Sequence, residues 1–372
     1  MRIFHVVTLV TPDGAFGGPV RVAVNHVREL RRRGHNAIVV AAAMGFDGPL
    51  PEHVEDVPAK LFHARRVAPL GFSGLAAPAM LRWVHAQLST IDVLHVHLAR
   101  DMITVPVALL AQRHAIPYVV QGHGMVDESS KVLASLLDRA VVRRLLRDAK
   151  CVFSLTPNES RSVQTVADGS ARVIELRNGV PEFDETPPPK TAEVLFMARL
   201  HSRKRPRAFV EMASRILANG VDADFALVGP DEGELSGVMK MIGASGWSHR
   251  IRYERALSPT QTRDRLAASS ILVLPSVDEP FPMVVLEAMA AGRPVVVTDS
   301  CGLAPIIQST QSGIVVDLTI ESLSVAVERL LTNPEDIVLR GQRARATAQS
   351  LFSMARVVTE WERAALTCGG TA

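Results

Sequence analysis

Residues 271–297 constrain the fold more than any other part of this chain. Ile271-Leu272-Val273-Leu274 is an uninterrupted apolar run that reads as a strand buried on both faces, ending at Pro275-Ser276. A helix is expected next, with Pro282 at its first helical position, where the amide hydrogen that proline lacks would have been unpaired anyway. Gly292 is placed to stop that helix, and Arg293-Pro294 leads into Val295-Val296-Val297, a second buried strand. Strand, helix and strand at this spacing form the repeating unit of a parallel sheet, which needs helices over both faces. The helix N-terminus then sits at the C-terminal edge of the sheet. Its unpaired amides, from about Met283 to Val285, can receive an anion such as phosphate. Glu287 is the lone charge between Pro282 and Gly292. Read alone it is a carboxylate at the rim of a core helix; with Ala290 and Ala291 beside it, it can also accept a ligand's hydroxyls.

The same alternation runs along most of the chain. Strands are expected at 3–10, 36–42, 93–97, 118–121, 151–155 and 172–176. Helical stretches lie between them, one opening at the Gly17-Gly18-Pro19 turn and others near 77–88, 104–113, 131–146 and 158–166. The Gly17-Gly18 turn lacks the G-x-G-x-x-G spacing of a dinucleotide site. Residues 181–190 are proline-rich and polar and mark a linker. Beyond them come strands at 193–197, 224–228, 250–254 and 271–274, with helices near 206–218, 235–246, 261–268, 322–331, 334–349 and 352–366. The expectation is an α/β chain of two Rossmann-like, doubly wound parallel-sheet domains, residues 1–182 and 190–350, with residues 351–372 as a closing helix. Ligands of such sheets sit at the C-terminal ends of the strands.

Composition narrows the class. With 47% hydrophobic and 21% charged residues, the 372-residue chain can bury two cores. A net charge of +3 gives no case for a nucleic-acid partner. Three widely spaced cysteines argue against a disulfide framework and for a reducing compartment. No apolar run approaches the about 18–20 residues of a membrane span. The N-terminal segment reads as a strand rather than a signal peptide. A cytoplasmic enzyme is expected.

Several residues at strand ends could carry chemistry. Arg199 and Lys204 follow the strand at 193–197 and would lie at the same sheet edge as the Glu287 helix. Two cations beside a helix N-terminus suit a departing diphosphate, although a solvated basic loop would read the same way. His123, between Gly122 and Gly124, follows the strand at 118–121, with Asp127 downstream. His95 and His97 share one face of a strand, and with His123 they could form three imidazole ligands. No carboxylate or cysteine completes that set, so no metal is expected. Asp222-Ala223-Asp224 precedes a strand and reads as a turn. Asn178-Gly179-Val180 reads as a turn with positive φ at Gly179. Arg139, Arg143, Arg144 and Arg147 form a basic stripe on one helix, a solvated face or a docking face for an anionic membrane.

Taken together, these stretches resemble the family-4 retaining glycosyltransferases of the GT-B fold (glycosyl transferases group 1). That family has a Glu, seven residues, a second Glu, an Ala-Met-Ala helix, Gly, Pro and a Val-rich strand. Here these are Glu279, Glu287, Ala288-Met289-Ala290, Gly292, Pro294 and Val295-Val296-Val297. Pro280-Phe281-Pro282 replaces the usual Gly-Phe-Gly, which should confine anion contacts to Met283 and Val284. The resemblance implies two domains facing across a cleft, with the last helix crossing back to the first. It implies that Glu279 binds the donor sugar, that Glu287 binds the ribose, and that Arg199 and Lys204 hold the diphosphate. His123 would serve the sugar near the reacting carbon. Gly17 and Gly18 would face the donor, and backbone groups around Arg255 and Ala256 the base. Asp127 and Asn178 are acceptor-side candidates, with acceptor loops near 43–74 and 127–131. The implied activity is retaining transfer of a hexose-type sugar from a nucleoside diphosphate to a hydroxyl acceptor, lipid-linked in many relatives, in polysaccharide, glycolipid or glycoside synthesis. It needs neither cofactor nor metal. A GT-B epimerase or phosphorylase, or a non-catalytic nucleotide-sugar-binding subunit, are the alternatives.

Overall fold

The computed structural model describes residues 1–12, 17–68, 71–127, 132–184, 186, 189 and 191–366. The chain divides into two compact units: Met1–Gly179 with Met354–Ala372, and Val180–Ser353.

In the first unit the strands are β1 (Arg2–Val10), β2 (Asn36–Ala43), β3 (His53–Val54), β4 (Val57–His63), β5 (Arg65–Arg66), β6 (Leu75–Ala76), β7 (Val93–His97), β8 (Tyr118–Gln121), β9 (Val152–Ser154) and β10 (Val173–Glu175). Eight of them form one sheet in the order β10-β9-β8-β7-β1-β2-β4-β3. Every neighbouring pair is parallel except the short β3–β4 hairpin at the edge. Alternation along β1 shows how both faces are used. Phe4 and Val6 enter one apolar cluster, with Met80, Val84 and Val107; Ile3 and Val7 enter the other, with Val24, Val27 and Trp361. The first cluster is covered by α2 (Pro78–Gln87), α3 (Thr104–Arg113), α4 (Val132–Leu137), α5 (Arg143–Asp148) and α6 (Pro157–Ala167), the second by α1 (Gly17–Arg32) and the chain's last helix.

Three expectations are corrected here. Strand β4 lies in a segment expected to be loop; Pro58 and Lys60 hide it, yet Val57 and Leu61 pack inward and it pairs in parallel with β2. The helix expected over 131–146 is interrupted at Asp138–Val142 by a π-helical turn, which turns Asp138 inward to accept two bonds of 2.9 Å from Arg100. Gly179 is not among the glycines with positive φ. Space is its reason: a Cβ there would lie 2.4 Å from Met354 Sδ.

In the second unit the strands are β11 (Glu193–Met197), β12 (Asp224–Val228), β13 (Ile251–Glu254), β14 (Ile271–Leu274), β15 (Val295–Thr298) and β16 (Gly313–Val316). They form an all-parallel sheet in the order β13-β12-β11-β14-β15-β16. Counted within the unit this is 3-2-1-4-5-6, the doubly wound order whose direction reverses between β11 and β14. Its helices are α7 (Pro206–Ala218), α8 (Leu235–Ala244), α9 (Pro259–Ala267), α10 (Met283–Ala290), α11 (Ala304–Thr310), α12 (Ile320–Leu331) and α13 (Pro334–Phe352). The described part of the stretch read as a linker is fastened to this unit. Arg345 donates to the Phe183 carbonyl at 2.6 Å, Arg263 stacks on the Phe183 ring, and Arg293 donates to Thr186.

The last helix, α14 (Met354–Leu366), belongs to the first unit. Its apolar face carries Val357, Val358, Trp361 and Ala365, all buried. Trp361 is fully buried and donates its indole N–H to His95 Nδ1 at 3.1 Å. Filling the interior with a side chain this large contributes about 3–5 kcal/mol relative to alanine. Glu362 anchors the same helix through Arg33 at 2.7 Å and His35 at 3.0 Å.

Candidate active site

In the second unit the candidate residues gather at the reversal point. Met197 ends β11, and a short 3₁₀ turn at Ser202–Lys204 follows. Beyond it Arg205, with φ 54°, turns the chain into α7. Beyond β14, Asp278 takes φ 49° immediately before Glu279. Non-glycine residues held in this left-handed region cost about 1–3 kcal/mol and tend to cluster at functional sites. The two turns are tied together: the Val277 amide donates to the Arg203 carbonyl at 2.8 Å, and Arg203 donates to the Asp278 carbonyl at 2.5 Å. So placed, Lys204 Nζ forms an ion pair with Glu279. The side chains are only 16% and 17% exposed, so the pair is screened much less than a surface pair.

The helix α10 begins one residue later than expected. Pro282 is its N-cap in extended geometry rather than its first helical residue, and its carbonyl accepts from the Val285 amide at 3.2 Å. That removes Val285 from the anion donors. Met283 and Val284, half-buried, are the first-turn positions whose amides have no partner in the preceding turn. Glu287, one turn on, is 5% exposed. Arg199 is half-exposed and held by Glu232 at 2.7 Å. The Arg199 loop crosses Gly229 so closely that a Cβ there, at φ 149°, would meet the Ala198 carbonyl oxygen at 2.0 Å. Arg255 and Ala256 are exposed just past β13, whereas the Glu254 carboxylate is taken by Arg265 at 2.8 Å. Asp224 opens β12, and both Asp222 and Asp224 pair with Arg250, which makes this segment a salt-bridged turn.

In the first unit His123 stands at the C-terminal end of β8 with φ 51°, followed by Gly124 with φ 73°. Two residues not singled out from the sequence hold this turn. The buried Glu159 accepts from the Gly124 amide at 2.6 Å and the Leu155 amide at 2.7 Å. Arg100 donates to the Met125 carbonyl at 2.9 Å and reaches Asp127 at 3.4 Å. Asp127 itself is exposed. Asn178, an acceptor-side candidate, is instead 3% exposed and accepts from the equally buried Gln121 at 3.1 Å, a bond of the interior. Gly17 and Gly18 form the first turn of α1, and a Cβ on Gly18 would meet open space. Residues 13–16 before them, and residues 128–131 of the acceptor-side segment, lie outside the described residues.

Behind His123 lies a cluster of imidazoles. His97 Nδ1 is 2.7 Å from His123 Nε2, and His97 Nε2 is 3.2 Å from His5 Nδ1. Burial holds His5, His95 and His97 well below the usual histidine range, His26 at about 4 and His123 at about 3. His5 replaces His123 in the trio with ligand atoms within reach of one another: His5, His95 and His97 each bring one within 4.8 Å of the others. His97 already uses both nitrogens on neighbouring rings. A dication held by one nitrogen of each ring would displace at least one of those two bonds, and no anionic ligand comes from this trio.

Sequence comparison closes the case for the family. The pattern described as glycosyl transferases group 1 matches residues 182–347, and that described as glycosyl transferase 4-like domain matches residues 17–179. The chain belongs to the group 1 glycosyl transferases. The chain is 29% identical over 239 residues to the alpha-D-kanosaminyltransferase of Streptomyces kanamyceticus, covering 63% of this chain and 57% of that protein. The match therefore spans less than two thirds of that relative's length. Among solved structures it resembles HepE of Anabaena, with a TM-score of 0.72 at 16% identity over 98% and 99% of the two chains. It also resembles TarM of S. aureus, with a TM-score of 0.77 at 12% identity over 98% and 100%. The chain thus has the GT-B fold, built from two parallel-sheet α/β units. Among its described residues no helix is long and apolar enough to cross a membrane.

Of the family's expected side chains, Lys204 and Glu279 meet directly, whereas Arg199 is drawn aside to Glu232. Glu232, Gly229, Arg100 and Glu159 escaped the sequence reading. Gly229, Glu232 and Arg100 lie in loops, where no periodic signal marks them, and Glu159 is a single polar residue in the first turn of α6; the close approach at Gly229 and the burial of Glu159 are visible only in the structure.

Proposed function

We propose that the protein is a retaining family-4 glycosyltransferase that moves a hexose-type sugar from a nucleoside diphosphate to a hydroxyl acceptor. The observation that carries this reading is the Lys204–Glu279 pair at the point where the strand order reverses, beside the α10 N-terminus. A cation next to unpaired amides stabilises the charge that grows on a departing diphosphate, and the fixed carboxylate orients sugar hydroxyls. Arg199 adds a second cation once the ligand draws it from Glu232. Glu287 takes the ribose and the Arg255–Ala256 backbone the base, while Gly17 and Gly18 leave room for the donor. His123 is assigned to the sugar near the reacting carbon. Lysine, arginine and amides supply the positive charge, so the reaction proceeds without a metal. Front-face transfer fits this set, with the leaving phosphate taking the acceptor's proton. Polysaccharide, glycolipid or glycoside synthesis in the cytoplasm is the setting.

The donor is testable directly. HepE was solved with UDP and with UDP-glucose, which puts uridine diphosphate sugars first in a panel with their guanosine and adenosine counterparts. At 100 times its Kd the true donor stabilises the protein by about 2.7 kcal/mol, visible as a raised Tm. A flat Tm across all three classes would overturn the reading.

The acceptor in this proposal is lipid-linked. Arg143 and Arg147 are paired with Asp168 and Asp148, whereas Arg139 and Arg144 are exposed, form no ion pair among the described residues, and are assigned to anionic headgroups. Replacing both by Gln should lower co-sedimentation with phosphatidylserine vesicles; unchanged binding removes this part of the reading.

A further inference from the structure

The imidazole row behind His123 has a consequence for its chemistry. A neutral imidazole carries one proton, and each ring-to-ring contact uses one. His97 bridges His5 and His123, so the protons of the row can point in only two consistent directions. In one, His5 Nδ1–H donates to His97 Nε2, His97 Nδ1–H donates to His123 Nε2, and His123 keeps its hydrogen on Nδ1. In the other every hydrogen is reversed, His123 carries its hydrogen on Nε2, and the row ends in a His5 Nε2–H. That last atom is fully enclosed and has no partner among the described residues. A buried N–H without an acceptor is rarer in proteins than an under-used lone pair and costs about 1–3 kcal/mol. The first direction is therefore favoured. His123 is half-buried, and Nδ1 is the nitrogen it does not use on His97. The ring itself is held parallel to His97, at an interplanar angle of 7°.

We propose that His97, backed by His5, is a positioning residue that fixes His123 as the Nδ1–H tautomer, so that His123 meets the sugar as a hydrogen-bond donor rather than an acceptor. This rests on the assignment of His123 to the donor sugar, but the tautomer is a property of the ligand-free protein. The sugar group it selects is then one with a lone pair to offer: a hydroxyl or ring oxygen.

Nitrogen-15 NMR of histidine-labelled protein reads the tautomer without any substrate. The result expected for the wild type is a protonated-type Nδ1 and an unprotonated-type Nε2 on His123; the opposite pattern overturns the proposal whether or not any variant folds. In His97→Phe the ring stack is kept and the donor lost, so His123 should lose its single tautomer and kcat should fall roughly 10-fold or more, with KM changing less. His97→Asn places an amide N–H where Nδ1 was and should restore both readings. An unchanged tautomer and kcat in His97→Phe, or failure of Asn to rescue either, overturns the proposal. If the wild type shows the expected tautomer but transfers no sugar from any donor, the positioning stands and the proposed function falls.

Discussion

Lys204→Ala and Glu279→Ala are each expected to lower kcat by roughly 10²–10³-fold, the loss typical when one preorganised charge is removed from a transition state. The fold should survive, because the side chains sit at the ends of loops after β11 and β14 and no core residue depends on them. Circular dichroism and Tm within a few degrees of wild type would confirm that. A sharper result is expected from Glu279→Gln. In the ligand-free protein Glu279 neutralises Lys204, so a nucleoside diphosphate must compete with that carboxylate for the ammonium. Removing only the negative charge frees the cation: the Kd for the nucleoside diphosphate should fall several-fold while transfer is lost. Near-normal turnover in both alanine variants would refute the site. Weaker diphosphate binding in Glu279→Gln would show that the carboxylate does not oppose the phosphates.

The first unit is expected to lose stability steeply between pH 6.5 and 4. His26 is enclosed and its folded-state pKa is pushed down to about 4 from 6.5. Between those values the unfolded chain binds a proton that the native state refuses. Stability is therefore fully present above pH 6.5 and drains away as the pH falls. By pH 5 the loss from His26 alone is about 2 kcal/mol. His5, His95, His97 and His123 shift in the same direction and add to it. For a unit of this size even the single-histidine term lowers Tm by roughly 4–8 °C. Two of the three tryptophans, Trp83 and Trp361, lie in this unit, so melting followed by their fluorescence at pH 7.5 and pH 5.0 reports it. A Tm that does not move over that interval would mean the imidazoles are solvated, and the row behind His123 would go with them.

Most of the scaffold could be read from composition and period. A strand buried on both faces is an apolar run whatever its neighbours, so β1, β2, β7, β8, β11, β12 and β14 announced themselves within a residue or two. β4 did not, because Pro58 and Lys60 break the run and only pairing with β2 makes the segment a strand. The motif residues were legible through resemblance, and the structure brings Lys204 and Glu279 together. It also withdraws Asn178 into the interior and hands Arg199 to Glu232.

By itself, then, the sequence determined the local matters: which segments are strands or helices, where helices stop, and which strand ends carry charge. Local backbone preference and the alternation of apolar side chains settle those over a few residues, and no distant contact is needed. Tertiary structure alone decided the partners. Glu279 and Lys204 lie 75 positions apart, and His5 within β1 is joined to His123 beyond β8 through His97 at the end of β7. Strand order brings such residues together, and strand order is fixed by how whole helices cover both faces of a sheet, a property that no single window of the chain contains.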